Sequence, residues 1–423
     1  MSPDVATLEH ELNLYKGLVE VSALINGITE SEQLLPAIMN VARRVFCCEA
    51  ASLFLVNDQG ELELTASRGG LSDSFKGPLI IPRGKGIAGS VLESGEAVLV
   101  EDAYADPRFF PDADRKTGFR TRSILCVPLE RHGRKVGVLQ ILNPVERDKF
   151  EPGDLAPFCA YATLAATAIE KLRAMERKRD QQRVAQEIAF AREIQASFLP
   201  QALPNRHDLN FAAAYRPALN VGGDFYDVLV TGEDELYFVI GDVSGKGVPA
   251  ALLMAQALSM LRMIIQPGIA PEVALARWNS MLSGHTVRGM FITALLGRAV
   301  VSERKLELVN AGHCAPFRVK AQGRPEEIPL LGAPPLGILP ELPHFRRDIT
   351  LERSEWLALF TDGLIESFSP EDEPLDRAGV ALLLDREFIR AADVIDALTD
   401  GERLHRREAE PHDDLTLLVF GFR

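Results

Sequence analysis

Aspartates stand at the ends of four apolar, strand-like runs in the second half of the chain. Asp242 follows residues 236–241 (LYFVIG) and Asp362 follows 356–361 (WLALFT). Asp224 opens 225–230 (FYDVLV), and the pair Asp413-Asp414 precedes 415–420 (LTLLVF). Short continuous apolar runs bounded by turn residues predict buried strands. Carboxylates at the mouths of neighbouring buried strands converge on one point, where their mutual repulsion calls for a cation. Oxygen ligands without partnered His or Cys suit a hard ion such as Mg²⁺ or Mn²⁺. The chemistry open to such a centre is phosphate-ester hydrolysis. Taken singly, each acid also reads as a turn former, Asp362-Gly363 above all. The metal reading rests on the set.

Three regions must position these groups. Residues 15–170 alternate helical and strand patterns. The spacing predicts a helix over 34–46, a hairpin of 51–56 and 61–66 around Asn57-Asp58-Gln59-Gly60, and strands at 98–101, 123–129 and 136–142. The last two flank the turn His132-Gly133, and a helix over about 154–172 closes the region. Residues 171–199 form a helical linker. Its stretch 176–183 has no apolar residue, whereas Val184, Ile188, Ala191 and Phe198 form a stripe with Gln195 in its seam. That stripe suits either a short parallel coiled coil between two chains or packing on its own domain. The cluster Arg177, Lys178, Arg179 and Arg183 reads as a solvated helix face. Residues 205–423 place strand runs beside one another with helices inserted between groups, an α+β layered pattern.

Two nucleotide motifs fail. Gly84 to Gly89 matches GxGxxG, but the next strand run follows too soon for a βαβ crossover of roughly 30 residues. These glycines read as a turn. Gly245-Lys246-Gly247 lacks the Gly and the Ser or Thr that a phosphate loop needs at 240 and 247, where Ile240 and Gly247 stand. His313, in Asn310-Ala311-Gly312-His313, reads either as a contact near the acids or as a hydrogen-bonded turn residue.

The chain has 423 residues, 47% of them hydrophobic, enough for two or more buried cores. A net charge of −14 argues against nucleic acid or an anionic membrane as the main partner. Residues 1–14 show no apolar signal core, and no apolar run reaches the roughly 18–20 residues a bilayer span needs. Five cysteines without a CxxC pair predict reduced thiols and a cytoplasmic location.

The third region resembles the SpoIIE-type bacterial branch of the metal-dependent PPM protein phosphatases. The matching segments are Gly222-Gly223-Asp224-Phe225-Tyr226-Asp227, Gly241-Asp242-Val243-Ser244-Gly245-Lys246-Gly247, Met290-Phe291-Ile292-Thr293, Asn310-Ala311-Gly312-His313, Thr361-Asp362-Gly363 and Asp413-Asp414-Leu415-Thr416. The resemblance implies an α-β-β-α sandwich and a serine/threonine protein phosphatase holding two Mn²⁺ or Mg²⁺ ions. By it, Asp242 bridges the ions with the Val243 carbonyl on one of them. Asp362 and Asp413 complete the other, and Asp224 ligates a cation or orients its water. Asp414 is the alternative to Asp413, and Arg216 is a candidate phosphate holder. The substrate it implies is a phosphorylated STAS-domain anti-sigma-factor antagonist. Ser244 stands where eukaryotic relatives often carry His, which leaves the general acid unassigned.

The first region resembles a GAF domain, a sensor module with a central antiparallel sheet. That resemblance is carried by residues 84–89, 98–109 (VLVEDAYADPRF) and 137–143 (GVLQILN). It implies a small-molecule or protein signal and, with the linker, a homodimer. Of the cyclic-nucleotide signature only Asn143, Phe150 and Asp154 match; Pro144 and Leu155 replace its Lys and Glu. A phosphatase-like module that binds without turnover and a small-molecule phosphate-ester hydrolase are the rival readings.

Overall fold

The computed structural model describes residues 30–69, 79–111, 114–115, 118–131, 133–283, 289–321, 323–343 and 345–423, together with Val19, Ser22 and Gly27. The expected absence of a signal core in 1–14, the start of the sensor region at 15, and His132 of the hairpin turn lie outside them. The chain divides into two compact units, Met1–Gln182 and Arg183–Arg423.

In the first unit the elements run α1 (Ser31–Val45), β1 (Cys48–Val56), β2 (Leu62–Arg68), β3 (Ile80–Ile81), α2 (Gly86–Ser94), β4 (Val98–Val100), β5 (Ile124–Arg131) and β6 (Arg134–Pro144). Helix α3 (Leu155–Phe198) follows and continues into the second unit. Among the described residues the strands form one antiparallel sheet in the order β3-β2-β1-β6-β5-β4. Alternate side chains of a strand face opposite ways, and here both faces are covered. Leu139 and Ile141 of β6 pack with Ile38, Phe158 and Tyr161 of α1 and α3, while Val138 and Leu142 join Ile87 and Val91 of α2. Hence the strands read as continuous apolar runs. Each such buried side chain contributes about 1.5–3 kcal/mol.

The glycines at 84–89 do more than turn the chain. Gly84 and Gly86 have positive φ, and α2 begins at Gly86, so the turn launches a helix that covers the sheet. The helix expected over 154–172 and the linker are one continuous helix of 44 residues. In its second-unit part, Gln195 is buried and Ile188, Ala191 and Phe198 are half-buried, while Val184, Phe190 and Ile194 are exposed. The seam from Ile188 onward therefore faces its own unit.

The second unit continues with β7 (Leu209–Arg216), β8 (Phe225–Val230), β9 (Glu235–Val243), α4 (Val248–Ile264), α5 (Pro271–Leu282), β10 (Ile292–Val300), β11 (Lys305–Ala311), β12 (Phe317–Val319), β13 (Glu326–Glu327) and β14 (Gly332–Ala333). It ends with β15 (Arg346–Thr350), β16 (Trp356–Phe360), α6 (Asp362–Ile365), α7 (Asp376–Leu384), α8 (Ala391–Arg406) and β17 (Leu415–Phe422). One sheet has the order β14-β11-β10-β9-β8, with β15 also on β11; the other is β13-β12-β16-β17-β7. Leu236, Phe238 and Ile240 of β9 meet Leu357, Leu359, Leu418 and Phe420 between the sheets. On the outer faces, Val239 and Val243 pack under α4 and α5 with Trp278, and Phe360, Leu417 and Val419 pack under α6, α7 and α8. The result is an α-β-β-α sandwich. All five cysteines are free thiols, and among the described residues no helix is long and apolar enough to cross a membrane.

Candidate metal centre

The sandwich brings the predicted acids to one rim, from both sheets. Asp224 immediately precedes β8 and Asp242 lies near the end of β9; Asp362 follows β16 and Asp413-Asp414 precede β17. Asp242 is pushed up to about 7 by burial, then by the charges of Asp362 and Asp413. Asp362 is raised by burial, then by Glu366 and Asp413. These groups feel one another because they share one poorly solvated corner. Glu366 was not anticipated; it sits one helical turn beyond Asp362, and only the short helix α6 brings it back to the cluster.

Asp224 is almost wholly buried, and burial followed by the Asp242 charge raises it well above the usual carboxylate range. Its Oδ2 accepts hydrogen bonds from the hydroxyls of Thr361 and Thr416, both 2.7 Å, and its carboxyl lies within hydrogen-bonding reach of Asp242. The two threonines were missed as site residues. Thr416 falls in a strand pattern, where its hydroxyl reads as ordinary β-branched filler.

Asp413 and Asp414 part company. Asp413 faces Lys246, whose Nζ lies 3.3 Å from Oδ2. Asp414 turns inward: Oδ1 accepts from Ala218 N–H (2.8 Å), and Oδ2 from the N–H groups of Gly223 (2.7 Å) and Asp224 (3.5 Å). Its oxygens are spent on the loop that carries Asp224. Small residues make the approach possible. A Cβ on Gly222 would strike the Asp414 carboxylate, and one on Gly363 the Asp414 carbonyl. At Gly223 it would lie 2.7 Å from the Val243 carbonyl oxygen and 3.2 Å from Asp242 Oδ1. Gln195 clamps the same loop from the helix, donating from Nε2 to the Gly222 carbonyl (2.5 Å) and accepting the Gly222 N–H (3.2 Å).

Of the remaining predicted residues, Arg216 forms a 2.8 Å ion pair with buried Glu402, which also accepts from Ser367 and Arg406. That is a bracing role beneath the rim. His313 is buried behind it, with Nδ1 2.9 Å from the Thr293 hydroxyl and its N–H on Asn310 Oδ1. Thr293 is the β10 partner of Asp242. Burial lowers His313 to about 4, outweighing the Phe360 backbone, which raises it, so the ring is neutral at pH 7. Ser244 Oγ accepts the Phe291 N–H at 2.9 Å, a loop tie.

The donor set fits a hard divalent cation. Carboxylates held at high energy by burial and mutual repulsion gain most from one, and the Val243 carbonyl adds a neutral oxygen. Among the described residues no three acidic, His or Cys side chains form a closed cation cage.

The first unit contains a cavity of about 410 Å³, walled by Phe54, Leu79, Ile81, Phe109 and Leu142 with Gln140 among them. Asp114 at its edge is satisfied by the Thr121 N–H and hydroxyl and by the Tyr104 hydroxyl. The three matches to the cyclic-nucleotide signature serve the fold. Asn143 bonds Glu49, Arg120, Arg122 and Ser123; Phe150 is core; Asp154 pairs with Arg147 and caps at Glu151. None of them lines the cavity.

Residues 232–423 match the family model for stage II sporulation protein E (SpoIIE), and residues 30–169 match that for the GAF domain. Asp242, Asp362, Asp413 and Asp414 fall within the first match, and Asp224 precedes it. Protein IcfG of Synechocystis sp. is 27% identical over 260 residues, 55% of this chain and 41% of its own length. Phosphoserine phosphatase RsbU of Bacillus subtilis is 27% identical over 240 residues, 56% of this chain and 71% of its own. The chain thus spans less than half of the first of these relatives. The SiaA-PP2C domain of Pseudomonas aeruginosa superposes with a TM-score of 0.51 at 19% identity, over 58% of this chain and 98% of that one, a likeness of fold.

Proposed function

We propose that this chain, a GAF domain joined to a SpoIIE-type domain of PP2C fold, is a protein serine/threonine phosphatase dependent on divalent cations. The observation that carries the reading is that strand ends of both sheets bring Asp224, Asp242, Asp362 and Asp413 to one rim, where burial and neighbouring carboxylates raise Asp242 and Asp362. Two Mn²⁺ or Mg²⁺ ions, held by Asp242, Asp362, Asp413 and the Val243 carbonyl with Asp224 beside them, would acidify a water and neutralise the phosphoryl charge. The chain's own groups prepare that corner. Thr361 and Thr416 fix Oδ2 of Asp224, and its carboxyl lies within hydrogen-bonding reach of Asp242. Lys246 offsets the charge of Asp413. Asp414 and Gln195 fix the loop that presents Asp224.

The substrate we infer is a phosphorylated STAS-type anti-sigma-factor antagonist, by likeness to RsbU, itself named a phosphoserine phosphatase. The GAF cavity would take the signal, and the exposed Val184, Phe190 and Ile194 of the linker would serve a homodimer in the cytoplasm. The first test is hydrolysis of an aryl phosphate in millimolar Mn²⁺, followed by release of phosphate from a phosphoserine STAS protein. Absence of both activities, in the full chain and in residues 183–423, would favour a module that binds without turnover. Activity on the aryl ester and free phosphoserine alone would favour a small-molecule hydrolase.

A further inference from the structure

The basic cluster of the long helix has a counterpart on the sheet of the first unit. Arg131 and Arg134 are direct partners across the β5–β6 hairpin, where like charges destabilise a sheet. Arg173 and Arg177 stand four residues apart on α3, where like charges destabilise a helix. Both pairs line one groove of about 310 Å³, floored by Val136 and flanked by Lys171. The groove's one carboxylate is Glu170, whose Oε2 is 3.8 Å from Arg131 Nε. Among the described residues Arg134, Lys171, Arg173 and Arg177 have no ion-pair partner. Five cations thus face one acid, in a chain whose net charge is −14.

We propose that this groove binds a small polyanion carrying two or more phosphoryl groups. A solvated basic face would spread its charges apart; here two elements each set like charges side by side and aim them at one concavity. An anion between them converts both repulsions into attraction. Four of the five cations are arginines, whose planar fork grips phosphoryl oxygens in pairs, and the two arms lie on different elements, which favours an anion that offers each arm a phosphoryl group. The volume falls at the lower end of small-ligand pockets, roughly 300–1,000 Å³, and suits a diphosphate-sized group better than a macromolecule. The site is remote in sequence from the acid rim and stands whether or not that rim is a phosphatase centre.

The test is calorimetric titration of the full chain, in EDTA and low salt, with methylenediphosphonate, whose P–C–P bridge resists hydrolysis. Saturable one-to-one binding is expected, weakened about tenfold or more in Arg134→Gln/Arg173→Gln, a loss of about 1.4 kcal/mol or more. Orthophosphate should bind more weakly than the diphosphonate. Without anion, the double variant should melt no lower than the parent, since a like-charge contact is relieved in each element. No saturation at millimolar ligand, equal affinity in the variant, or orthophosphate binding as tightly would each overturn the proposal.

Discussion

Asp414 accepts the Gly223 N–H at 2.7 Å, tying the entrance of β17 in one sheet to the loop before β8 in the other, 191 residues away in sequence. The bond joins the two halves of the rim. It also separates two adjacent acids, one turned to the backbone and one to the cluster.

Asp414→Ala should therefore act through the fold. It strips the acceptor from the buried Gly223 N–H and the half-buried Ala218 N–H, a cost of about 1–3 kcal/mol. A fall of about 2–4 °C in melting temperature per kcal/mol follows for a unit of this size, even without metal. Asp413→Asn removes a repelling charge together with the Lys246 pair, so the metal-free melt should not fall as it does in Asp414→Ala, while Mn²⁺ activation weakens. Reversal of these two phenotypes would put Asp414 in the ligand set.

Asp242→Asn should cost turnover about 10²-fold or more while preserving the fold. The pH dependence adds a sharper check. The folded state raises Asp242 from 3.8 to about 7, so it holds a proton that the unfolded chain gives up. The stability this confers is full below about 3.8 and is lost as pH rises through 7. Metal-free protein should thus melt lower at pH 7 than at pH 5, and Mn²⁺ should restore the difference. In Asp242→Asn that slope should flatten; melts in EDTA across this range that keep the parent slope would refute the account.

The strand-end acids were legible because a buried strand must be apolar, so a carboxylate at its mouth stands out. The sandwich was legible for the same reason, in runs such as 236–241 and 415–420. What could not be read is what depends on side-chain direction. Asp413 and Asp414 are chemically identical neighbours, and only the folded backbone decides which faces the loop. Thr361 and Thr416 stand in the quoted motif segments, but their hydroxyls gain a role only through contacts with the distant Asp224, and Glu366 gains one only where α6 turns it back toward Asp362. Gln195 looked like a polar interruption of an apolar seam, yet its amide is the part of that seam that touches the site loop. The GxGxxG glycines gave a turn, and the helix α2 behind them was missed because nine residues are too few for a clear amphipathic period.

Gln195→Leu keeps the volume and removes both hydrogen bonds to Gly222. The loop then loses one of its two clamps, while the Asp414 bond stays. The concentration of Mn²⁺ for half-maximal activity should rise, up to about tenfold, corresponding to about 1.4 kcal/mol, with turnover at saturating metal little changed. A variant with unaltered metal dependence would show that Asp414 alone holds the loop.

His313 gives the opposite pH signature to Asp242. Burial lowers it from 6.5 to about 4, so between these values the unfolded chain takes up a proton that the folded chain refuses. Its contribution is intact above 6.5 and is lost as pH falls toward 4, by roughly 3 kcal/mol at the acid end. His313→Gln should abolish this acid-side loss, because glutamine does not titrate, while retaining an acceptor for the Thr293 hydroxyl. At pH 7 the variant should be less stable, through imperfect filling of the ring's space; by pH 4.5 the gap should narrow or invert. The measurement is the difference in melting temperature between parent and variant in EDTA, which cancels the carboxylates common to both. A difference that stays constant from pH 7 to pH 4.5 would mean that the histidine takes up its proton as readily in the fold as in the unfolded chain, contrary to its buried position beside Thr293.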